Sequence, residues 1–390
     1  TLSSSSAASD VYKRQLQYNM RICILTQPLC TNYGGLLQAY ALQVVLKRMG
    51  HEVWTENRKE NPLSLISKFK LFIKRILAPI RGIYYGTNEQ KKVISQYTEL
   101  FIRNYITITD PVTSNTKEVL RRYAFDAYIV GSDQVWRPCY SYYLPNYFLD
   151  FTMGDKVKRI AYAASFGTSE WEFTAEQTEQ CAALAKSFDA ISVREDSGVE
   201  LCSKYLGVNA VCLLDPTLLL RKEDYVYLVE KEQVTAFDSK LMTYVLDQSE
   251  EKQRIIQELS YKLGLTPIVV MPKFTFEKTG PKEISNCIFP PVTKWLRGFM
   301  DAEYVVTDSF HGTVFSIIFN KPFIVIANKE RGLGRFTSLL RMLGLESRLV
   351  YTFDDITDQL IYTSIDYTQV NRILRRERDR ALEFLKASLR

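Results

Sequence analysis

The sequence predicts an α/β fold of two parallel-sheet domains that face a common cleft. The chain has 390 residues, more than the about 100–200 residues of an ordinary domain. Apolar stretches of strand length alternate with stretches that have the three- and four-residue spacing of helices. This alternation begins near residue 20 and begins again near residue 241. Strand–helix–strand units of this kind form parallel sheets covered by helices.

The first series of elements follows a Ser-rich stretch, residues 1–19, which we interpret as a leader outside the fold because it precedes Met20 and lacks the apolar core of a signal peptide. "RICILT" predicts a buried strand, "NYGGLLQAYALQVVLKRMG" a helix that ends at Gly50, and "EVWTEN" the next strand. Further strands are predicted in "FDAYIVGSDQVW", "KRIAYAASFGT", "FDAISVRED" and "NAVCLLDPTLLL". We assign residues 20–237 to this first domain.

The second series gives a domain over residues 238–390. Strands are predicted in "LMTYVLDQ", "TPIVVMP", "YVVTD" and "PFIVIAN", and helices in "EEKQRIIQELSYKLG", "VTKWLRGFMDA" and "HGTVFSIIFN". The charged last helix, "QVNRILRRERDRALEFLKASL", is predicted to cross back onto the first domain.

Composition and charge narrow the function classes. The chain is 46% hydrophobic with a net charge of +6, which favours anionic ligands without indicating nucleic acid, and no nucleic-acid module is found. It has no apolar run of the about 18 residues that a transmembrane helix needs. Seven cysteines without a C-x-x-C pair predict free thiols in a reducing cytoplasm, and two histidines argue against a metal site.

Residues 63–84 are amphipathic and basic, and they interrupt the strand–helix alternation. Two interpretations stay open. The segment is either a helix that lies on a membrane surface or a surface helix that packs on its own domain. The first would place the protein at the inner face of the membrane.

The ligand site of an open α/β sheet lies beyond the carboxyl ends of its strands. In the first domain these ends fall at Thr26–Gly35, Gly131–Trp136, Ser165–Gly167 and Arg194–Asp196. Two of the stretches have chemistry suited to a ligand. Gly34 and Gly35 allow close backbone approach, and Asp133, Gln134 and Trp136 offer a carboxylate, an amide and a ring to a sugar, although turn chemistry with a buried Trp136 would explain them equally well.

In the second domain "TDSFHGTVF" places His311 in the first turn of a helix, after a strand and a cap at Asp308 or Ser309. A helix N-terminus favours phosphate or carboxylate, and an imidazole there exchanges protons near neutral pH. The alternative is a histidine that only caps a turn.

Three arginines are candidate anion ligands. Arg194 directly follows a strand, so its guanidinium either grips a carboxylate or phosphate or pairs with a nearby acid. Arg331 and Arg335 flank a glycine-containing turn before a helix, an arrangement that also binds anions. The "LDPTLLL" stretch indicates mainly a strand that ends in a turn, which leaves Asp215 with little predicted function.

Five stretches together make the sequence resemble the polysaccharide pyruvyl transferase family: "TNYGGLLQAYAL", "GSDQVW", "ISVRED", "LDPTLLL" and "TDSFHGTVFSIIFNKPFIVI". The resemblance implies two Rossmann-like domains of the glycosyltransferase-B kind. It also implies phosphoenolpyruvate as donor substrate without a cofactor, and a saccharide acceptor that is a cell-surface polysaccharide or its lipid-linked precursor. The product would be a pyruvate ketal.

The resemblance also suggests site residues. Arg194 and His311 match the family's donor-site arginine and histidine and would be catalytic, with His311 protonating the donor's methylene carbon. Ser309, Gly312, Arg331 and Arg335 would bind the donor on the C-terminal side, and "TNYGG" (Asn32, Tyr33, Gly34, Gly35) with Asp133, Gln134 and Trp136 would bind the acceptor on the N-terminal side.

The sequence departs from the family at Ser309, where many members have an arginine two residues before the histidine. Either Arg331 or Arg335 replaces that charge, or the donor is different. A glycosyltransferase that uses a nucleotide sugar and a non-catalytic polysaccharide-assembly protein are the alternative functions.

Overall fold

The computed structural model describes residues 19–59, 70, 73–75, 78, 82–114, 116–141, 143–328 and 331–390. Nearly all of the predicted leader and most of the 63–84 segment lie outside these ranges, so both predictions about them stay untested.

The first sheet has seven parallel strands in the order β3-β2-β1-β4-β5-β6-β7. Its strands are β1 (Arg21–Leu25), β2 (Glu52–Arg58), β3 (Ile108–Val112), β4 (Ala127–Val130), β5 (Lys158–Ala164), β6 (Ala190–Val193) and β7 (Val211–Cys212). Apolar side chains fill β1 and β4 on both faces because helices cover both sides of a parallel sheet.

The helices described with this sheet are α1 (Tyr33–Arg48), α2 (Asn88–Tyr105), α3 (Thr116–Arg121), α4 (Ala175–Ala185), α5 (Asp196–Leu201) and α6 (Lys222–Lys231). Asn32 begins α1 by accepting a hydrogen bond from the Gly35 N–H, and Lys47 and Arg48 lie in its last turn. The predicted first helix is therefore confirmed, with its end two residues before Gly50.

The second sheet has five parallel strands in the order β12-β11-β10-β8-β9. Its strands are β8 (Leu241–Tyr244), β9 (Pro267–Val269), β10 (Tyr304–Thr307), β11 (Phe323–Ile326) and β12 (Leu349–Val350). The accompanying helices are α7 (Glu250–Leu263), α8 (Phe276–Thr279), α9 (Val292–Asp301), α10 (Phe310–Ile318), α11 (Gly334–Leu343), α12 (Asp358–Tyr362) and α13 (Tyr367–Ser388).

The two sheets confirm the predicted fold class of two parallel α/β domains. The boundary at 237/238 stays a prediction, and it falls in the connection between β7 and β8. Helix α13 contacts the chain between these strands, where the Arg378 guanidinium donates to the carbonyls of Leu218 and Leu220 at 2.9 and 3.3 Å.

Among the features that differ from the sequence prediction are three in the first domain. Strand β3 and helix α2 were not predicted, since Pro111 interrupts the apolar pattern of β3 and α2 has few buried residues. The long strand predicted in "NAVCLLDPTLLL" shortens to Val211–Cys212, and a short 3₁₀ helix at Pro216–Leu219 follows. Asp215 begins that helix by accepting from the Thr217 N–H.

Candidate active site between the two sheets

The carboxyl ends of β4, β6 and β7 and that of β10 in the second sheet meet at one place. These ends carry Asp133, Arg194, Asp215 and His311, and the first turn of α11 adds Arg335. We call these five buried side chains the junction cluster. Charged side chains are rarely this buried unless they are paired or await a ligand.

His311 reaches the cluster because a cap and a tight turn fix the start of α10. The Ser309 hydroxyl accepts from the Gly312 N–H at 3.5 Å, and the Thr307 hydroxyl accepts from the Ser309 N–H at 3.1 Å. A Cβ at Gly312 would overlap the Thr307 hydroxyl, so this turn needs glycine. Ser309 therefore has a structural role at the position where the family often has arginine.

Gly34 forms the other wall of the histidine pocket. A Cβ at this position would overlap the His311 imidazole around Nδ1. The N-terminal turn of α1 and the N-terminal turn of α10 therefore approach each other closely, one from each domain. The role predicted for Gly34 on the acceptor side stays a prediction, but its contact is with the histidine.

Asp215 lies at the centre of the cluster, which the sequence did not predict. Its Oδ2 accepts from Arg194 Nη1 at 2.8 Å and from the Ser132 hydroxyl at 3.0 Å, and it lies 3.7 Å from His311 Nε2. Its Oδ1 accepts from the Thr217 N–H and hydroxyl at 3.0 and 2.6 Å. One carboxylate therefore orients the two residues predicted to be catalytic.

These contacts set the charge states. Burial raises the pKa of Asp215. The imidazole of His311, the guanidinium of Arg194 and the Thr217 hydroxyl lower this pKa by a larger amount, so it lies well below its usual range. Burial lowers the pKa of Arg194, but Asp215, Asp133 and Glu195 raise it above its ordinary value. The Arg194–Asp215 pair is therefore ionised at neutral pH.

Arg194 also contacts two further groups. Its Nη2 lies 3.5 Å from Asp133 Oδ1, and its Cζ lies 4.6 Å from the centre of the Phe310 ring. Asp133 itself has a φ of 70°, a left-handed conformation that is uncommon outside glycine. Such strain often occurs where a side chain must point at a ligand.

The structure separates Arg331 from Arg335. Arg331 is partly exposed, and its guanidinium makes two hydrogen bonds to Asp247, at 2.6 and 2.8 Å. Arg335 is buried with its Cζ 5.6 Å from the centre of the Phe310 ring, on which Arg194 also packs, and its Nη2 donates to the Arg331 carbonyl. Burial and the repulsion of Arg194 lower the pKa of Arg335 to about 10, so it remains protonated at neutral pH.

Several buried polar atoms around the cluster lack a hydrogen-bond partner among the described residues. They are Arg194 Nε and Nη2, Glu195 Oε2, His311 Nε2 and Arg335 Nε. Unsatisfied buried donors are rare and costly. Arg194 and Arg335 therefore offer three N–H donors between the two domains, and His311 Nε2 adds a fourth when it is protonated, which forms a site suited to an anion.

The residues predicted on the acceptor side divide into two groups. Asn32 is exposed and lies 3.5 Å from Asp133 through its Nδ2, and Gln134 is half-buried beside it. These two and Asp133 lie close to Arg194. The Gly35 N–H donates to the Asn32 side chain, which caps the start of α1.

Tyr33 and Trp136 belong to the core, so the expectation that they contact a sugar is wrong for this conformation. The Trp136 ring is fully buried, stacks on Phe148 with centres 4.8 Å apart, and donates its indole N–H to the Tyr147 carbonyl. Tyr33 is also fully buried and donates its hydroxyl to the Pro290 carbonyl of the other domain. The burial of Trp136 agrees with the alternative interpretation, in which turn chemistry and a buried Trp136 explain this stretch.

Within the described ranges, no group of three or more His, Cys, Asp or Glu side chains is arranged to hold a metal ion. No helix among the same residues is both long and apolar enough to cross a bilayer.

Solved structures with a similar fold include proteins that are named for UDP compounds or bound to them. The UDP-GlcNAc 2-epimerase from Neisseria meningitidis bound to UDP-GlcNAc has a TM-score of 0.52 and 11% identity, over 94% of this chain and 99% of that one. The UDP-N-acetylglucosamine 2-epimerase from Rickettsia bellii has a TM-score of 0.51 and 12% identity, over 95% and 97% of the two chains. Arabidopsis thaliana UGT89C1 complexed with UDP has a TM-score of 0.50 and 8% identity, over 95% and 100%.

These identities are too low to show more than the fold, which is like that of the glycosyltransferase-B enzymes. No curated protein matches the sequence significantly. The family model described as polysaccharide pyruvyl transferase matches residues 32–330 and so includes every member of the junction cluster except Arg335. The chain therefore belongs to the polysaccharide pyruvyl transferase family.

Proposed function

We propose that the protein transfers the pyruvyl group of phosphoenolpyruvate to a sugar of a cell-surface polysaccharide or of its lipid-linked precursor. The product is a pyruvate ketal on two sugar hydroxyls, and phosphate is released. The observation that carries this proposal is a group of buried nitrogen atoms on Arg194, His311 and Arg335 that have no hydrogen-bond partner among the described residues, in a member of this family.

The donor has two anionic groups, and the junction cluster offers two guanidinium groups. Arg194 and Arg335 pack on the same Phe310 ring, and each has at least one N–H with no hydrogen-bond partner among the described residues. A planar guanidinium binds carboxylate or phosphate with two parallel hydrogen bonds. In this proposal Arg335 supplies the charge that Ser309 does not.

Arg331 has a supporting role in the donor site. Its guanidinium is paired with Asp247, while its carbonyl accepts from Arg335. The first turn of α10, from Ser309 to Gly312, adds the partial positive charge of a helix N-terminus.

His311 acts as the general acid in the proposed reaction. It gives a proton to the methylene carbon of the donor, which becomes the methyl group, and the central carbon becomes electrophilic. A sugar hydroxyl attacks that carbon and gives its proton to a base. The bond to the phosphate oxygen then breaks, and the second hydroxyl attacks the same carbon and gives its proton to the released phosphate, which closes the ketal. Asp215, 3.7 Å from His311 Nε2, stabilises the charged imidazole before the transfer.

Asp133 is the candidate base for the acceptor. Its carboxylate lies between Arg194 and the exposed Asn32, at the carboxyl end of β4. A saccharide that approaches along Asn32 and Gln134 would reach Asp133 and the central carbon of the donor from the same side.

We propose that this reaction takes place in the cytoplasm, at the inner face of the membrane when the acceptor is lipid-linked. The free cysteines among the described residues are typical of a reducing compartment.

A comparison of donors tests the proposal. We expect phosphoenolpyruvate to raise the melting temperature of the purified protein, because a ligand at 100 times its Kd adds about 2.7 kcal/mol to the stability of the folded state. UDP-sugars are the matched alternative donors, since similar folds bind UDP compounds. Stabilisation by a UDP-sugar and not by phosphoenolpyruvate would favour a glycosyltransferase and contradict the proposal.

A further inference from the structure

A second cavity, which we call the far groove, lies at the opposite end of α1 from the junction cluster. Its volume is about 1020 Å³, within the range of small-molecule sites. It is lined by the end of α1 at Arg48, the chain over 219–224, the end of α10 and the middle of α13. Since α1 has 16 residues and is therefore about 24 Å long, the far groove is separate from the proposed active site.

The far groove has an excess of positive charge. Six cationic side chains line it, against three acidic ones: Arg48, Arg221, Lys222, Arg375, Arg378 and Lys386, with Glu223, Asp224 and Asp379. The Asp224 carboxylate already has two protein partners, because it pairs with Arg48 and accepts from the Arg221 N–H. Lys222, Arg375 and Lys386 form no ion pair with any acidic side chain that the structure describes.

Arg378 shows how closely these charges crowd. The Arg378 side chain is half-buried, and its guanidinium donates hydrogen bonds to two backbone carbonyls, which hold it near the other positive charges. Burial lowers its pKa most, and the nearby Arg221 and Arg375 also lower it, while Asp379 and Tyr225 act in the opposite direction. A bound anion would relieve this repulsion.

The inner wall of the far groove is apolar. Buried side chains from α1, from the chain after β7, from α10 and from α13 form it: Val45, Met49, Leu219, Leu220, Ile318 and Leu374. The far groove therefore offers an apolar wall beside a cationic rim. A ligand that matches both has an anionic group joined to an apolar body.

We propose that the far groove is a second binding site, for a phosphate or diphosphate group carried on an apolar body. An anionic lipid carries its phosphate on apolar chains, whereas a nucleoside diphosphate has the phosphate groups but carries them on a polar nucleoside, so the two ligands share only the anionic part. The proposal is independent of pyruvyl transfer, because it depends on no residue of the junction cluster.

Two probes of the full chain test it. One is binding of UDP in solution by calorimetry; the other is co-flotation with phosphatidylcholine vesicles that contain or lack phosphatidylglycerol. The test variant carries Lys222→Glu with Arg375→Glu, both exposed on the rim. The control carries Lys117→Glu with Lys156→Glu, two exposed lysines outside the groove that change the net charge equally.

We expect the wild type to bind at least one probe, the test variant to bind it about tenfold or more weakly, and the control to stay within about twofold. Added salt should weaken the wild type more than the test variant, because the attraction is electrostatic. Binding to anionic vesicles alone would identify a lipid headgroup as the source, and binding of UDP would identify a soluble ligand. Binding of neither probe, or equal losses in the test variant and the control, would overturn the proposal.

Discussion

At the scale of single residues, Asp215 connects the chemistry of the two domains. It accepts from Arg194 and Ser132 and lies beside His311. Replacing it by Asn would leave Arg194 buried without its closest counter-charge. Removing one partner of a buried ion pair costs about 3–5 kcal/mol.

We therefore expect Asp215→Asn to lower the free energy of unfolding by about 3–5 kcal/mol in urea titrations at neutral pH. The pKa of Asp215 is depressed in the folded state, so its contribution to stability is present above the ordinary value of about 3.9 and is lost as the pH falls below it. The difference between wild type and variant should shrink in acid. Asp224→Asn, at a partly exposed pair, is the control and should cost about 1 kcal/mol or less.

Arg335 and Arg331 give a second prediction at this scale. Arg335→Gln should raise the KM for phosphoenolpyruvate about tenfold or more, because a buried charge that binds the donor is lost. Arg331→Gln should have a smaller effect, because that guanidinium is bound to Asp247. Steady-state kinetics with both variants decide the point, and equal effects would contradict the assignment of Arg335.

The sequence alone identified some of these residues and not others. Arg194 was found because it directly follows an apolar strand, and His311 because it lies in the first turn of the helix after one; both are local signals. Asp215 was missed because its partners Ser132 and Arg194 lie 83 and 21 positions away in the sequence. Trp136 was assigned wrongly because its burial against Phe148 is decided by packing.

At the scale of elements, the site depends on the close approach of α1 and α10. Both helices begin at a strand's carboxyl end with a polar cap, Asn32 in one and Ser309 in the other. The sequence predicted both helix starts, because caps and glycines are local signals. It did not show that the two starts touch, since that contact joins different domains.

We expect Gly34→Ala to reduce turnover by about 100-fold, because the added methyl group would overlap the His311 ring, and small misplacements of catalytic groups have effects of this size. The variant should remain folded, since alanine favours helices. Gly35→Ala is the matched control, because its Cβ would meet only the Asn32 side chain, at 3.1 Å or more, and that side chain can move. Equal activity of the two variants would show that the contact between Gly34 and His311 is unimportant.

At the scale of the whole molecule, the two domains meet through backbone as well as side chains. The Asp196 N–H donates to the Ser338 hydroxyl at 2.9 Å, and Gly332 packs on the Gly167 carbonyl. The fold class was predictable from strand–helix alternation over both halves. The arrangement of the halves was not, because it depends on contacts between residues far apart in sequence.

Gly332→Ala tests whether this arrangement is needed. A Cβ at Gly332 would overlap the Gly167 carbonyl oxygen, and Gly332 has a φ of +85°. We expect the variant to keep its helical circular dichroism, because each domain has its own sheet, and to lose most of its activity and its stabilisation by phosphoenolpyruvate. Gly344→Ala is the matched control, since that glycine has a similar φ of +67° with nothing within 4 Å of the added Cβ.

If phosphoenolpyruvate stabilises both Gly332→Ala and Gly344→Ala as it stabilises the wild type, the donor binds one domain alone. Loss of the response in both variants would indicate backbone strain and not a disturbed contact between domains.

In the proposed reaction His311 transfers a proton to phosphoenolpyruvate between the two domains. The most direct measurement is phosphate release from phosphoenolpyruvate by the purified protein with a pool of free and lipid-linked oligosaccharides, in parallel with His311→Ala. We predict release that requires the acceptor and falls by about 100-fold or more in His311→Ala, while donor binding weakens less, because Arg194 and Arg335 remain. Undiminished release by His311→Ala, or no release by a wild type that binds the donor, would contradict this account.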